Sequence, residues 1–378
     1  MHKHVNNSQK LDSIQVLRGI AALSVVLFHY RFWLAPLYGD LTIPNKYLGW
    51  GAGGVDLFFV ISGFIMVYIT SKKPSGIKGA LFFITERLTR ILPTYYIILF
   101  TAFYFTWEIG VFTDPKIIAN LISALTFLPN TTDYPPLYVD ASGLYVVRWT
   151  LNYELYFYAV FGICILLNKK LPILIGWIIC SIIAGVYFTS KLTFETSGYK
   201  IEPPLFSFLT NPIIIEFFIG ALAGYTYQYL QKSSDKIKRG FALISIIIVG
   251  LGFSYGFIQG WNVGFAVILY FVVVTFALFN DFITKYTPSF FIMLGNISFS
   301  WYLLHNQVAS YISWQVEANN PGVMHSTLGF FSLLAISILL AYISHKLLEV
   351  WLTNKIRDAI FSSPLGKFID LRKVKKEV

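Results

Sequence analysis

The residues best suited to chemistry in this chain are ionisable side chains set inside long apolar runs. The stretch LDSIQVLRGIAALSVVLFHYRFW carries Arg18 and His29, eleven residues apart. At about 100° per residue, a helix places both on one face, roughly 16 Å apart along its axis. Glu154 lies in RWTLNYELYFY and His305 in LGNISFSWYLLHNQV. Charged side chains are costly in hydrocarbon, so those kept there usually face a bundle interior and act. A carboxylate with two imidazoles is what acid–base or acyl-transfer chemistry requires. The plainer alternatives are a snorkelling arginine, an interfacial histidine and a polar pair joining helices. In TERLTRILPTYY, Arg87 and Arg90 share a helical face. Their guanidinium forks match phosphate oxygens bidentately, the alternative being simple anchoring at a membrane surface. Glu216, in NPIIIEFFIGALAGY, is a further candidate, as is Asp56 in GGVDLFFVISGF. Ser62 lacks the glycine-flanked elbow of a hydrolase nucleophile, so it reads with Gly63 as a packing position. Cys164 and Cys180 sit in apolar runs and read as buried, unreactive thiols, and the sequence has no metal-ligand spacing.

The elements that must position these residues follow from composition. The chain has 378 residues, 56% hydrophobic and 13% charged, against about 25% charged in a soluble domain. That excludes an ordinary soluble enzyme, a disordered chain and a disulfide-rich module. A bilayer core takes about 20 apolar residues per helix. Ten segments qualify, near 14–34, 52–70, 91–107, 149–167, 172–189, 210–230, 239–258, 263–280, 291–311 and 327–349. The expectation is an all-α membrane bundle, with 118–128 a short re-entrant or surface helix. With both termini cytoplasmic, roughly 22 basic residues fall inside and about 5 outside. The net charge of +10 is then a cytoplasmic collar rather than a nucleic-acid site. Residues 1–350 are expected to form the membrane domain and 351–378 a basic cytoplasmic tail. Arg18 and His29 argue against a cleaved signal peptide, and no soluble domain is expected at either end. Counted from the helix ends, His29, Glu154 and His305 fall at one level in the outer third of the bilayer.

Several ordered motifs resemble acyltransferase family 3. LRGIAALSVVLFHY is similar to its Arg–ten–His signature, and GGVDLFFVISGFIM to its second-span motif. RLTRILPTYY resembles its basic cytoplasmic motif, with Glu86 standing where members often carry another basic residue. WTLNYELYFY resembles its Trp–x–Leu–x–x–Glu motif, giving Trp149 and Glu154. EFFIGALAG and ISFSWYLLH match late motifs, so the resemblance runs from about residue 11 to 350.

The resemblance implies a multi-pass inner-membrane enzyme that takes an acyl group, usually acetyl, from cytoplasmic acyl-CoA. The acceptor is a carbohydrate hydroxyl of an exopolysaccharide, an O-antigen or a lipid-linked precursor. Arg18, Arg87 and Arg90 would hold the donor's phosphates. His29 would act as base or acyl acceptor, with Glu154 orienting it. His305, Asn296, Ser298, Trp149 and Glu216 would serve the acceptor side. The competing expectation is a secondary transporter or flippase of a sugar or lipid-linked sugar, which ten spans and buried ionisable residues also fit. The absence of a visible internal repeat weighs against it.

Overall fold

The computed structural model describes residues 11–105, 114–140, 145–257 and 260–372. Lys3 and Lys10, and the end of the basic tail from Lys373, lie outside the described residues. In chain order the helices are α1 (Asp12–Tyr30), α2 (Thr42–Leu48), α3 (Gly54–Thr70), α4 (Ile77–Phe105), α5 (Pro115–Thr126), α6 (Trp149–Leu166), α7 (Lys170–Thr189), α8 (Pro204–Thr210) and α9 (Ile214–Leu230). They continue with α10 (Asp235–Ser254), α11 (Val263–Leu278), α12 (Asn280–Tyr286), α13 (Ser289–Glu317) and α14 (Thr327–Ser344). A π-helical turn (His345–Leu352), α15 (Thr353–Ser362) and α16 (Pro364–Ile369) complete the order. Among the described residues there is no β-strand element.

Each of the ten expected segments falls on a helix. Among the described residues eight helices are long and apolar enough to cross a membrane, or nine if the bent pair α11–α12, broken by 86°, is one span. The tenth, α13, has 29 residues. It has ample length, but Asn296, Ser298, Ser300, His305, Asn306 and Gln307 dilute its apolar character. The polarity that weakens it as a span is the polarity that suits it to a site. The expected short helix is α5, whose N-cap Asp114 accepts from the Lys116 amide at 2.8 Å.

The chain divides into two compact units. The first comprises Met1–Phe28, Trp50–Lys73 and Glu216–Ser298. Without a hydrophobic drive between helices in lipid, small residues that admit close backbone approach decide which faces meet. A Cβ on Gly63 would strike the Phe217 carbonyl, and one on Gly220 the Val60 carbonyl, so α3 and α9 touch backbone to backbone. Gly19 and Gly295 do the same for α1 and α13.

The second unit comprises His29–Gly49, Pro74–Ile215 and Phe299–Val378. Here aromatics fill the space between α4 and α6, where Phe83 meets Tyr158 edge-on at 6.1 Å and Phe161 at 5.6 Å. The α5 helix is tied to α4 because Tyr95 and Tyr96 donate to the Ala124 and Leu125 carbonyls at 2.8 and 2.9 Å. Phe361 of α15 and Ile369 of α16 pack on Phe82 of α4. Cys164 is buried as expected, but Cys180 is exposed on α7. Apolar surroundings in the sequence mislead here, since a helix face turned to lipid is as apolar as one turned to protein.

Candidate active site

Helix α1 ends on His29 and Tyr30, and both residues grip one residue of α13. The His29 Nδ1 and His305 Nε2 atoms lie 3.2 Å apart, with ring centroids at 4.9 Å. The Tyr30 hydroxyl donates to the His305 carbonyl at 2.8 Å. On its other side, His305 Nδ1 lies 2.7 Å from the Tyr302 carbonyl and 3.2 Å from that of Trp301. A carbonyl oxygen only accepts, so His305 Nδ1 carries the proton, and Nε2 of the neutral ring is an acceptor. His29 Nδ1 must therefore donate to it, which puts the basic lone pair of neutral His29 on Nε2. His305 has no exposed surface, whereas His29 is half-buried. The arrangement orients one accessible imidazole by means of a second, sealed one.

The turn of α13 that carries His305 is fixed from α6. Tyr302 accepts from Thr150 Oγ1 at 2.9 Å and donates to the Val147 carbonyl at 3.2 Å. One turn further along α6, Glu154 accepts a hydrogen bond from Tyr158. Arg87 and Arg90 interact on α4. Two Arg87 donors, Nε and Nη1, are buried without a hydrogen-bond partner. Buried donors of this kind are costly unless an acceptor satisfies them, which suits the pair to an anionic ligand. An apolar groove of about 850 Å³ runs beside the same helices, walled by Ile98, Ala102, Leu304, Val308 and Leu347.

The remaining expected site residues are spread over both units. Trp149 is buried at the start of α6, edge-on to Tyr153 at 6.1 Å. In the first unit, Arg18 donates to Gln15 at 3.2 Å. Ser298 is fully buried with no hydrogen-bond partner for its hydroxyl, and Asn296 is half-buried. Glu216 has no exposed surface and faces Asp56, which accepts from the Trp261 and Asn262 amides at 2.9 and 3.1 Å. Both Glu216 carboxylate oxygens are buried without a hydrogen-bond partner.

Sequence reasoning missed three residues of the second unit. Tyr30 stands directly after His29, and only the tertiary contact gives it a role. Arg148, counted as an outer-loop residue, is fully buried and donates to Ser123 Oγ at 3.0 Å and to the Tyr145 carbonyl at 3.3 Å. Glu349 accepts from both the amide and the hydroxyl of Ser300. Among the described residues no group of three or more His, Cys, Asp or Glu side chains comes together as a metal site.

An oriented imidazole and buried guanidinium donors without a partner fit an acyltransferase embedded in a membrane. Comparison with known proteins agrees. A family profile described as an acyltransferase domain matches residues 11–345, and the chain belongs to this family, acyltransferase family 3. It is 30% identical over 180 residues to the exopolysaccharide production protein ExoZ of Rhizobium meliloti (strain 1021), covering 46% of this chain and 50% of that protein. It is 24% identical over 328 residues to the acyltransferase MdmB of Streptomyces mycarofaciens, covering 80% of each. A Staphylococcus aureus (strain COL) protein, named provisionally as an O-acetyltransferase, is 22% identical over 364 residues, 90% of this chain and 56% of that protein. The chain thus spans about half the length of ExoZ and of the staphylococcal protein. No solved structure matches it.

Proposed function

We propose that this protein is a multi-pass inner-membrane O-acyltransferase that moves an acetyl group from cytoplasmic acetyl-CoA to a carbohydrate hydroxyl. The acceptor is an exopolysaccharide, an O-antigen or a lipid-linked precursor. The basic-residue bias supports an orientation with both termini cytoplasmic. The observation that carries the chemistry is the His29–His305 contact, which fixes the tautomer of the accessible ring.

In this reading His29 Nε2 takes the proton of the acceptor hydroxyl as its oxygen attacks the thioester carbonyl. The carbon–sulfur bond breaks, and the imidazolium returns the proton to the departing thiolate. His305 holds the ring and stabilises the imidazolium through Nε2, the part a carboxylate plays in a catalytic triad. Arg87 and Arg90 hold the donor's phosphates, and Glu154, which accepts from Tyr158, balances their charge. On sequence position alone, Arg18 keeps its reading as a phosphate-binding residue and Trp149, Asn296 and Ser298 theirs as acceptor-side residues. The apolar groove suits the hydrocarbon of a lipid-linked acceptor. Glu216 is assigned instead to the interior of the first unit, since it has no exposed surface.

The name of ExoZ and that of the staphylococcal protein support a polysaccharide acceptor and an acetyl group. The test is thermal melting of detergent-purified protein with coenzyme A. A ligand that binds only the folded form raises the melting temperature, and a secondary transporter or flippase of sugars would not respond. Mass spectrometry of surface polysaccharide from cells with and without the protein then identifies the acyl group by its mass increment. An unchanged polysaccharide would overturn the acceptor assignment.

A further inference from the structure

The chain does not leave the second unit where α1 ends. Residues 31–37 continue as a short strap, a 3₁₀ turn at Arg31–Leu34 that opens into extended backbone at Ala35. The strap is tied to α13 and to the loop after it. The Tyr30 hydroxyl donates to the His305 carbonyl at 2.8 Å. The Trp33 indole donates to Ser313 Oγ at 3.3 Å, about two turns further along α13. Beyond α13, His325 Nδ1 lies 2.9 Å from the Ala35 carbonyl. Leu37 packs over Gly322, where an added Cβ would stand 3.5 Å from it. The strap starts two residues after His29, so what holds it also holds the end of α1 that carries the accessible imidazole.

His325 differs from His305 in what its two nitrogens meet. The Ala35 carbonyl only accepts, so His325 Nδ1 carries a proton. Nε2 lies 3.7 Å from Oε1 of Glu317, the last residue of α13, and the two side chains are 17% and 20% exposed. A neutral ring would turn its Nε2 lone pair toward that carboxylate, whereas an imidazolium donates on both sides. His305 Nε2 instead meets a donor, His29 Nδ1, and needs no second proton. Glu317 is the charged group that α13 sets against His325. On the strap, Arg31 donates to Asn45 at 2.7 Å, and the Ala35 carbonyl is what meets the ring. The first turn of α14 carries no charged side chain, and its N-cap Ser326 accepts from the Gly329 amide at 3.1 Å. We propose that His325 is a positioning residue for His29. As an imidazolium between Glu317 and the Ala35 carbonyl it clasps the strap and so fixes the end of α1. The proposal rests on the reading of His29 as the base. The clasp is complete at low pH and is lost as the ring gives up its second proton. Glutamine at 317 removes the charge and supplies an N–H for the lone pair of the neutral ring, so the clasp then holds at either pH. Phenylalanine at 325 removes both donors.

The experiment uses the full chain in detergent. Activity is thiol release from acetyl-CoA with water as acceptor, and hydrogen exchange of residues 31–37 reports on the strap. From about pH 6 to about pH 8.5, across the imidazole range, strap exchange in the natural protein, corrected for the intrinsic effect of pH, should rise about tenfold. In Glu317→Gln it should stay level. The kcat of Glu317→Gln should match that of the natural protein at the acid end and exceed it about three- to tenfold at the alkaline end. Comparing the two proteins at each pH cancels the titration of His29 itself. His325→Phe should lower kcat about tenfold at the acid end, with the coenzyme A affinity unchanged. Should His325→Phe fail to fold, His325→Gln takes its place and should show strap exchange that no longer depends on pH. Strap exchange in the natural protein that ignores pH, or a constant ratio of the Glu317→Gln rate to the natural rate, would overturn the clasp. A residue that merely stabilised the fold would lower the melting temperature without changing that ratio. Strap exchange as expected, with no thiol release at either pH, would overturn the acyl-transfer reading and the positioning role with it, and leave the clasp standing.

Discussion

Each compact unit of this protein buries a facing pair of titratable side chains, and the two pairs are built to opposite ends. His29 and His305 in the second unit form a chain of directed donors running from His29 Nδ1 to His305 Nε2 and from His305 Nδ1 to the backbone. One ring is sealed and the other half-buried. Asp56 and Glu216 in the first unit are both sealed, with 1% and 0% exposure. Asp56 is occupied by two backbone amides and Glu216 faces it. The imidazole pair leads from a sealed ring to a half-buried one. The carboxyl pair offers no exposed atom, and Asp56 fastens the Trp261–Asn262 turn to α3. Burial of an ionisable group in a membrane bundle is therefore no mark of a site on its own.

Four substitutions would break or sharpen that contrast. The largest effect is expected for His29→Ala, which should abolish acyl transfer, by at least about a thousandfold in kcat, while the melting temperature stays near that of the natural protein. Transfer at more than a tenth of the normal rate would end the catalytic reading of the pair. His305→Phe comes next. It keeps the ring's bulk but removes the acceptor for His29 Nδ1–H, so kcat should fall about a hundredfold, as for lost base orientation, with the coenzyme A affinity unchanged. A change confined to that affinity would place His305 at the donor instead.

The carboxyl pair should respond through stability. Asp56→Ala leaves two amides without their acceptor and should destabilise the protein by about 3 kcal/mol, read as a lower melting temperature and a smaller folded yield. Glu216→Gln should do least, because a carboxamide keeps the size of the sealed side chain and carries no charge to bury. Activity within about twofold and a melting temperature within a few degrees are expected. Loss of transfer in a well-folded Glu216→Gln protein would move Glu216 back to the acceptor site.

Much of this was legible in the residues. All ten apolar segments lie on helices, since span length is set by bilayer thickness and composition alone. The Arg18–His29 spacing needs only one helix to be read, and α1 is continuous through both. The His29–His305 level was also within reach, because residue counts from helix ends give depth at 1.5 Å per residue. Glu154 and Glu216 were placed at a similar depth by the same counting, but depth does not give direction. Glu154 bonds Tyr158, and Glu216 faces Asp56. Arg148 and Glu349 escaped because each stood beside a span end, where a charge is usually solvated.

The sequence by itself determined that this chain is a helical membrane protein with ionisable groups held inside its apolar helices. Those features depend on periodicity and transfer energies, which act residue by residue. Which imidazole holds the other and which charges are sealed were decided by the tertiary structure. Helix faces in lipid are sorted by close packing and hydrogen bonding between elements far apart in the chain, and no local pattern records those partners.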